Sequence, residues 1–282
     1  MASTFDKVII TNERVTGVPG AEMLRLSGIE QQNEVDVLDL ACGGGMITSE
    51  LLETASRQPN LHINKILAGD IDDQMLDFVT RKREFNVVKT NSQSQWSRVE
   101  TQKMNEASIP QPDSTFTHVF NNFGIFFCPD QDSALSETYR VLKPSGIAGF
   151  TSWKAISWWA EVAEPALAKF LPEATKLPHP SGMFPSSGWN DPDAIPAKLE
   201  RAGFVDVRVT ELVFPPRVEA EPFAAATAFL VKGIAKRVWS EEDFGKFGDQ
   251  IKPALLKYLK ETYEDGIWDG NMKAIITLGS RK

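Results

Sequence analysis

Apolar and polar positions follow two different periodicities along the first half of the chain, one typical of strands and one typical of helices. Residues 35–41 (VDVLDLA) form a short, β-branched apolar run, and residues 46–57 (MITSELLETASR) carry apolar side chains at helical spacing. These patterns predict a strand and a helix joined by a glycine-rich turn. The alternation recurs and predicts strands at 63–70, at 117–127 and, after a turn at 143–146, at 146–153. Because parallel strands need long crossover connections, the intervening helices predict a mostly parallel sheet and an α/β fold.

The regular alternation stops after Trp153. An irregular insertion, rich in Trp and then in Pro, Ser and Gly, is predicted over about 154–198, and we interpret it as a lid. A helix that ends near Gly203 then leads into a strand at 204–214. A second, helical insertion over about 215–268 precedes a last strand at 272–280. We therefore expect a single domain over 1–282, with its core at about 30–153.

Composition narrows the possible partners. The chain has 282 residues, a formal charge of -8 and a pI of about 5.1, so its field would repel a phosphate backbone, and we expect no nucleic acid partner. It has no 18-residue apolar run and no signal-peptide pattern, so we expect a cytoplasmic protein without a membrane partner. Two cysteines and three histidines are few metal ligands, and we expect no metal. We expect a monomer.

A glycine turn and an acidic residue suggest a nucleoside site. The run from Asp39 to Gly45 (DLACGGG) lies where a strand ends and a helix begins, so the backbone can approach a ligand closely there. A tight structural turn would explain the glycines equally well. However, Asp70 ends the next predicted strand, 25 residues beyond Gly45, where a carboxylate can accept hydrogen bonds from both ribose hydroxyls. The pair is more specific than either feature alone.

A nicotinamide-dependent oxidoreductase has a similar arrangement of turn and acid. Its glycine pattern is G-x-G-x-x-G, in which the third glycine brings the helix close to the strand behind a pyrophosphate. In this chain Ala41 takes the first position, and Met46 and Ile47 follow the last glycine. The residues of this turn therefore favour a ligand without a diphosphate.

Residues 35–153 resemble the class I S-adenosylmethionine-dependent methyltransferases. Their first motif, Asp-x-Gly-x-Gly-x-Gly, is matched by Asp39, Ala41, Gly43 and Gly45, with alanine replacing one glycine. Further matches follow in the family's order at 70–76, 105–116 and 142–146, although Asn105 stands where the family usually has aspartate.

The resemblance implies a Rossmann-like fold whose mostly parallel, seven-stranded sheet has an antiparallel last strand. It implies S-adenosyl-L-methionine as cofactor and S-adenosyl-L-homocysteine as product. The positions that match the family's cofactor-binding motifs are Asp39, Ala41, Cys42, Gly43, Gly45, Asp70, Ile71, Met75, Asn105, Glu106, Ala107, Asn121, Asn122 and Phe123.

Segments along nearly the whole chain, such as TGVPGAEMLRLSGI and ETYEDGIWDGNMKAIITLGSRK, resemble fungal secondary-metabolite methyltransferases, a family that includes gliotoxin bis-thiomethyltransferase. This implies a small thiol, hydroxyl or amine acceptor and a helical cap over residues 1–30. Asn121 and Asn122 are not followed by the Pro-Pro-Tyr of amide and DNA-base N-methyltransferases, which argues against those substrates. Our candidates for the substrate pocket are Thr16, Arg25, Phe123, Phe126, Trp153, Phe184 and Trp189.

Few candidate bases accompany this chemistry. Methyl transfer from a sulfonium is an in-line displacement, which a protein can accelerate by holding the acceptor close and aligned. A thiol ionises sufficiently near neutral pH, whereas a phenol gains more from a general base. His118 and His62 lie in or beside predicted strands, which leaves His179 in the lid as the candidate base. We expect no essential catalytic residue and favour a thiol acceptor.

Three functions stay open at this point: a small-molecule methyltransferase acting on sulfur, oxygen or nitrogen, a nicotinamide oxidoreductase, and a cofactor-binding protein of methyltransferase fold with a regulatory or non-methylating role. A shared fold cannot separate the first from the third.

Overall fold

The computed structural model describes residues 4–89, 95–180 and 188–282, which form two compact units. The sheet unit comprises Thr16–Lys154, Ser187–Leu212 and Ala274–Lys282. The helical unit comprises Met1–Val15, Ala155–Ser186 and Val213–Lys273. The single domain stays a prediction.

A seven-stranded sheet is the centre of the sheet unit. Its strands, in chain order, are β1 (Glu34–Leu40), β2 (His62–Asp70), β3 (Val99–Lys103), β4 (Phe116–Asn122), β5 (Leu142–Ala155), β6 (Val205–Phe214) and, after two short strands of the helical unit, β9 (Met272–Ser280). The spatial order is β3-β2-β1-β4-β5-β9-β6, and β1 to β5 pair in parallel. Backbone bonds from Ser145 to Arg281 and from Arg281 to Gly146 join the start of β5 to the end of β9, so β9 is antiparallel. The predicted α/β, Rossmann-like sheet is confirmed.

Within the described ranges, five α-helices accompany the sheet: α1 (Thr4–Ser27), α2 (Met46–Arg57), α3 (Asp73–Lys89), α4 (Gln131–Val141) and α6 (Ile195–Arg201). The first of them confirms the cap helix, and its part within the sheet unit packs on the start of α2. A Cβ atom on Gly20 would lie 2.2 Å from Met46 Cε, so the end of the Met46 side chain packs directly on this glycine. After α6 the chain turns at Gly203, whose φ of 100° confirms the left-handed position predicted there.

The fourth strand is shorter than its apolar pattern predicts. We expected a strand over 117–127, but β4 ends at Asn122 and residues Ile125–Phe127 form a 3₁₀ turn. Phe123 has a φ of 60°, which lies outside the range of regular strand backbone, so the extended conformation stops there. The run of phenylalanines looked like a buried strand because burial and strand formation give the same continuous apolar signal.

The fifth strand is longer than predicted. The expected turn at 143–146 lies inside β5, with Ser145 at a φ of 63°. Phe116 pairs with Leu142 and His118 with Ile147, so β5 carries extra residues opposite a short piece of β4. The lysine–proline–serine–glycine signal therefore marks an irregularity within a strand instead of its beginning.

The helical unit is built around buried tryptophans. Its helices are α5 (Glu164–Phe170), preceded by one π-helical turn (Trp159–Ala163), α7 (Ala220–Val238), α8 (Glu241–Phe247) and α9 (Ile251–Thr262), and β7 (Val218–Glu219) pairs with β8 (Ile267–Trp268). Phe223 stacks on Trp268 with ring centroids 4.5 Å apart, and the Trp268 indole donates to Glu161. Among the described residues, no helix is both long and apolar enough to cross a bilayer.

Candidate functional site

The carboxyl ends of parallel strands β1 to β4 meet along one edge of the sheet. Because β3, β2, β1 and β4 are neighbours in that order, the glycine turn, Asp70, the segment after Lys103 and the end of β4 at Asn122 lie along this edge. Ligands of open α/β sheets bind outside the carboxyl ends of the strands. The structure thus brings most of the predicted cofactor-binding positions to the same edge.

The glycines of the first turn serve different purposes. Ala41, Gly43 and Gly45 have φ angles of 54°, 51° and 74°, so the chain passes through three left-handed positions. A Cβ atom on Gly45 would lie 3.0 Å from Val79 Cγ2, so this glycine allows α2 to approach α3. A Cβ atom on Gly43 would meet nothing within 4 Å. Gly43 therefore borders open space, as a residue that cradles a ligand does.

Asp70 is connected directly to that turn. Its Oδ2 accepts a hydrogen bond from the Gly43 backbone N–H at 2.9 Å, and its Oδ1 accepts one from Asp72 at 2.9 Å. The side chain is half-buried at the end of β2. A carboxylate has about four lone-pair positions, so acceptor capacity remains for the hydroxyls of a ligand.

Asp39 supports the turn from inside, and its predicted contact with the cofactor stays a prediction. It is 1% exposed, and its Oδ2 accepts hydrogen bonds from the backbone N–H and the hydroxyl of Thr48, at 3.0 and 2.7 Å. Burial raises the pKa of Asp39 to about 7. Because its carboxylate accepts both bonds from Thr48, this residue fixes the start of α2.

A second polar group lies at the end of β4. Asn121 is fully buried; its Nδ2 donates to Glu106 Oε2 at 2.5 Å, and its Oδ1 accepts from the backbone of Gly124 and Ile125 at 2.9 and 2.7 Å. Burial raises the pKa of Glu106, which is half-buried. The Asn121 side chain therefore holds the turn after β4 and orients Glu106.

The remaining predicted cofactor positions differ in how open they are. Ile71 is 65% exposed although it follows a strand, and Met75 is half-buried on α3. Asn105 is exposed, and its Oδ1 accepts from the backbone of Ala107 at 3.0 Å. The Cys42 thiol is buried, so only its backbone is available to a ligand.

Phe123 and Trp153 form an aromatic pair. Their ring centroids are 4.0 Å apart and the planes are 24° from parallel, while Phe126 meets Phe123 edge-on at 6.5 Å. The Phe123 backbone N–H donates to Thr151 Oγ1 at 2.9 Å. The Thr151 hydroxyl donates to Asn122 Oδ1 at 2.7 Å. Thr151 is not among the residues predicted from the sequence, because a threonine in an apolar strand has no distinctive pattern.

Three other residues predicted for the substrate pocket are not part of this aromatic pair. Trp189 is 1% exposed; its indole donates to Gln131 Oε1 at 3.0 Å and its ring packs on Phe150, and its place in a substrate pocket stays a prediction. The Arg25 guanidinium is bound by Glu22 on its own helix at 2.7 Å. Phe184 lies outside the described residues.

Thr16 is half-buried, and its carbonyl accepts from Asn122 Nδ2 at 3.5 Å. This contact joins the cap helix to the end of β4. The backbone of Thr16 therefore lies at the same strand end as Phe123.

The histidines do not gather at this edge. His118 is 3% exposed inside β4, and burial lowers its pKa to about 4. His62 begins β2, at the opposite end of that strand from Asp70, and its Nε2 lies 3.1 Å from Arg98 Nη1. His179 is an exposed residue of the helical unit, with its ring edge-on to Trp159. Among the described residues, no histidine belongs to the sheet edge formed by the strand ends.

Comparison with known proteins agrees with this geometry. The chain is 26% identical over 260 residues to methyltransferase tpcH of Aspergillus fumigatus, covering 90% of this chain and 88% of that protein. It is 24% identical to methyltransferase ktnA of Aspergillus niger, covering 86% and 82%. The YcgJ protein from Bacillus subtilis has the same fold, with a TM-score of 0.56, 17% identity and coverage of 94% of this chain and 98% of that one.

The model of the ubiE/COQ5 methyltransferase family matches residues 22–177, more than half of the chain. This match includes the glycine turn, Asp70 and the end of β4, and it excludes the nicotinamide oxidoreductase. The chain belongs to the ubiE/COQ5 methyltransferase family and is an S-adenosylmethionine-dependent methyltransferase.

Proposed function

We propose that the protein binds S-adenosyl-L-methionine at the sheet edge and methylates a small secondary metabolite on a thiol. The observation that carries this proposal is the pairing of Gly43 with Asp70. A hydrogen bond of 2.9 Å fixes the carboxylate beside a backbone whose missing Cβ leaves open space. A nucleoside ligand needs both features, a carboxylate for its ribose hydroxyls and a close backbone approach.

The cofactor would supply an electrophilic methyl group on a sulfonium, and the residues of this edge would hold it. Asp70 would accept hydrogen bonds from the ribose hydroxyls, and the backbone from Ala41 to Gly45 would border its amino-acid part. Glu106, held by Asn121, is a hydrogen-bond acceptor for the base, and the exposed Ile71 offers it an apolar surface. These residues fit the group because each has free acceptor capacity or open surface.

Two observations support a thiol acceptor. No histidine belongs to this edge in the described part of the chain, and a thiol needs a general base less than a phenol does, because part of it is ionised near neutral pH. The stacked rings of Phe123 and Trp153 offer an apolar wall for a flat compound at the end of β4. In this proposal the protein contributes proximity and orientation. The two insertions of a single domain would select the acceptor, and the protein would act as a monomer.

Mass spectrometry of a mixed panel of thiols, phenols and amines, incubated with enzyme and cofactor, tests the acceptor. A gain of one methyl group on thiols alone supports the proposal. Methylation of phenols or amines in preference to thiols would replace it with oxygen or nitrogen transfer. Tight binding of S-adenosylhomocysteine in calorimetry, without methylation of any panel member, would favour a regulatory or non-methylating role.

A further inference from the structure

Two adjacent asparagines end β4, and their side chains point to opposite faces of the sheet, as successive residues of a strand do. Asn121 is fully buried, and both ends of its amide are engaged, the nitrogen by Glu106 and the oxygen by the backbone of the following turn. Asn122 is half-buried and faces the cap helix, where its Nδ2 lies 3.5 Å from the Thr16 carbonyl. The two amides therefore serve different surfaces of the sheet unit.

A chain of hydrogen bonds fixes the orientation of the Asn122 amide. The Phe123 backbone N–H donates to Thr151 Oγ1 at 2.9 Å, and the Thr151 hydroxyl donates its own proton to Asn122 Oδ1 at 2.7 Å. The oxygen of the amide is thereby held against β5, which identifies the other atom of the amide as the nitrogen. The NH₂ group consequently points away from β5.

The Asn122 nitrogen has donor capacity for a ligand. An amide NH₂ group carries two hydrogens. The contact of this nitrogen with the Thr16 carbonyl, at 3.5 Å, is at the long limit of a hydrogen bond. Because the side chain is only half-buried, an acceptor atom of a bound molecule can reach the nitrogen from outside.

Asn122 lies beside the glycine turn. In the parallel pair of β1 and β4, Asp39 is opposite Phe120. Two residues further along each chain, Ala41 comes level with Asn122. The two chains remain close beyond this point, since a Cβ atom on Gly124 would lie 2.5 Å from Ala41 Cβ. The proposed function places the amino-acid part of the cofactor, which includes the sulfonium, along this turn, so a ligand atom bound by Asn122 would be near the transferable methyl group.

The charged side chains of the elements next to Asn122 have partners of their own. On the part of the cap helix that belongs to the sheet unit, Arg25 binds Glu22 at 2.7 Å. At the end of β5, Lys154 binds Glu211. Each cation is thus neutralised by a neighbouring carboxylate. An anionic acceptor at the end of β4 would therefore depend on a neutral donor such as an amide.

The ionisable groups of the glycine turn are engaged as well. Asp39 accepts two bonds from Thr48, and Asp70 accepts one from the Gly43 backbone. Burial raises the pKa of the Cys42 thiol well above its ordinary value, so this thiol stays protonated near neutral pH. Asp39, with a pKa of about 7, titrates in the wild type and in every Asn122 variant, so a comparison between them isolates the acceptor.

We propose that Asn122 is a catalytic residue that donates a hydrogen bond from Nδ2 to the sulfur of the acceptor and stabilises its thiolate form, with Thr151 as the positioning residue that holds the amide. This inference rests on the proposed function, because it takes the acceptor to be a thiol. The acceptor releases its proton to water, and its sulfur forms a bond with the methyl carbon as the bond from that carbon to the sulfonium breaks. The electron pair of the broken bond stays on the sulfur of S-adenosylhomocysteine.

Two substitutions at Asn122 test this role. Asn122→Asp has nearly the same shape, keeps an oxygen for the Thr151 hydroxyl and lacks the N–H donor. Asn122→Ala removes the amide without adding a charge. Asn86→Asp is the matched control, because Asn86 is half-buried on α3 and donates to the Lys82 carbonyl at 2.7 Å. Melting curves establish that each variant is folded.

The first measurement is the ionisation of 2-naphthalenethiol bound to the full chain together with S-adenosylhomocysteine, followed by thiolate absorbance as the pH is raised. The pKa of the bound thiol should be higher by about 1 in Asn122→Ala than in the wild type, because a hydrogen bond to the charged form is lost. It should be higher still in Asn122→Asp, whose carboxylate repels the thiolate. Asn86→Asp should match the wild type.

The second measurement is the rate of methyl transfer to the same thiol as a function of pH. Below the pKa of the bound thiol, kcat of Asn122→Ala should be about threefold lower than that of the wild type, since a tenfold smaller thiolate fraction is partly offset by the greater nucleophilicity of a less acidic thiol. Above the pKa values of the bound thiol in both proteins, this deficit should disappear. A residue that only supports the fold would lower the rate equally at every pH.

An unchanged pKa of the bound thiol in both Asn122 variants, or an equal loss of rate at every pH, would overturn the role of Asn122. If the wild type still methylates 2-naphthalenethiol, the proposed function is unaffected by that result. A wild type that neither binds nor methylates the thiol would overturn both proposals. Calorimetric titration with S-adenosylhomocysteine on the same samples tests the cofactor site separately.

Discussion

The Thr151 hydroxyl accepts a hydrogen bond from the backbone N–H of Phe123 at 2.9 Å. Phe123 has a φ of 60°, a conformation that costs a non-glycine residue about 1 kcal/mol or more. Thr151 is fully buried and also donates to Asn122 Oδ1. One side chain of β5 thus holds the turn that directs the Phe123 ring onto Trp153.

We expect Thr151→Val to release this turn. The substitution keeps the shape and leaves the Phe123 N–H unsatisfied, so it should lower the free energy of unfolding by about 1–3 kcal/mol. It should also raise KM for the acceptor, because Phe123 would no longer be fixed against Trp153. Thr151→Ser retains the hydroxyl and should restore the KM. Equal KM values in all three proteins would show that Thr151 only stabilises the fold.

Asp70→Ala should weaken binding of S-adenosylhomocysteine by about 2–4 kcal/mol, because two charge-assisted hydrogen bonds to the ribose would be lost. Isothermal titration measures this change. Asp73→Ala is the matched control, since Asp73 lies three residues further on and forms an exposed ion pair with Lys103. Such pairs contribute little, so the control should bind normally. Wild-type affinity in Asp70→Ala would show that another acid binds the ribose.

Substitutions at Gly43 and Gly45 should separate binding from stability. Both have positive φ, so alanine costs about 1–2 kcal/mol at either position. Only at Gly45 does the new Cβ meet a neighbour, Val79 Cγ2 at 3.0 Å. Gly45→Ala should therefore show the larger fall in melting temperature. Gly43→Ala should bind the cofactor more weakly, with a smaller fall in melting temperature than Gly45→Ala. Gly43→Val should abolish cofactor binding, because the added atoms occupy the open space beside Asp70.

Asp39 should make stability depend on pH. Burial raises its pKa to about 7 from an ordinary value of 3.8, so the folded state holds a proton that the unfolded state releases between these values. The contribution of Asp39 to stability is therefore greatest below pH 4, falls as pH rises, and levels off above pH 7. Urea unfolding of wild type and Asp39→Asn at several pH values isolates this effect. A stability difference that is constant from pH 4 to 8 would show that Asp39 remains ionised.

His179→Ala should keep activity within about tenfold, or 1.4 kcal/mol of barrier, if the acceptor is a thiol. The rate should rise through the pKa of the substrate thiol and shift when a more acidic thiol is used. A thousandfold loss with intact cofactor affinity would make His179 a general base and favour a hydroxyl acceptor. The activity of His118→Ala should also stay within about tenfold of the wild type, since His118 is enclosed in β4.

Local patterns in the sequence were sufficient to predict the α/β fold, the start of α2 after the glycine turn and the acid at the end of β2. The physical reason is that hydrophobic periodicity and glycine turns are short-range properties, written within about ten residues of each other. The cofactor residues were assigned from their matches to the motifs of the methyltransferase family, and the parallel strands bring most of those positions to one edge of the sheet.

Tertiary structure alone decided how deeply each aromatic residue is buried and which partners it contacts. Trp189 and Trp153 are both tryptophans near the first insertion, but one is enclosed by Phe150 and Gln131 while the other stacks on Phe123. A cavity of the helical unit is lined by both Trp159 and Trp239, which are far apart in the chain. Burial depends on partners distant in sequence, and no local pattern records them. The sequence therefore determined the kind of site, and packing determined the residues around it.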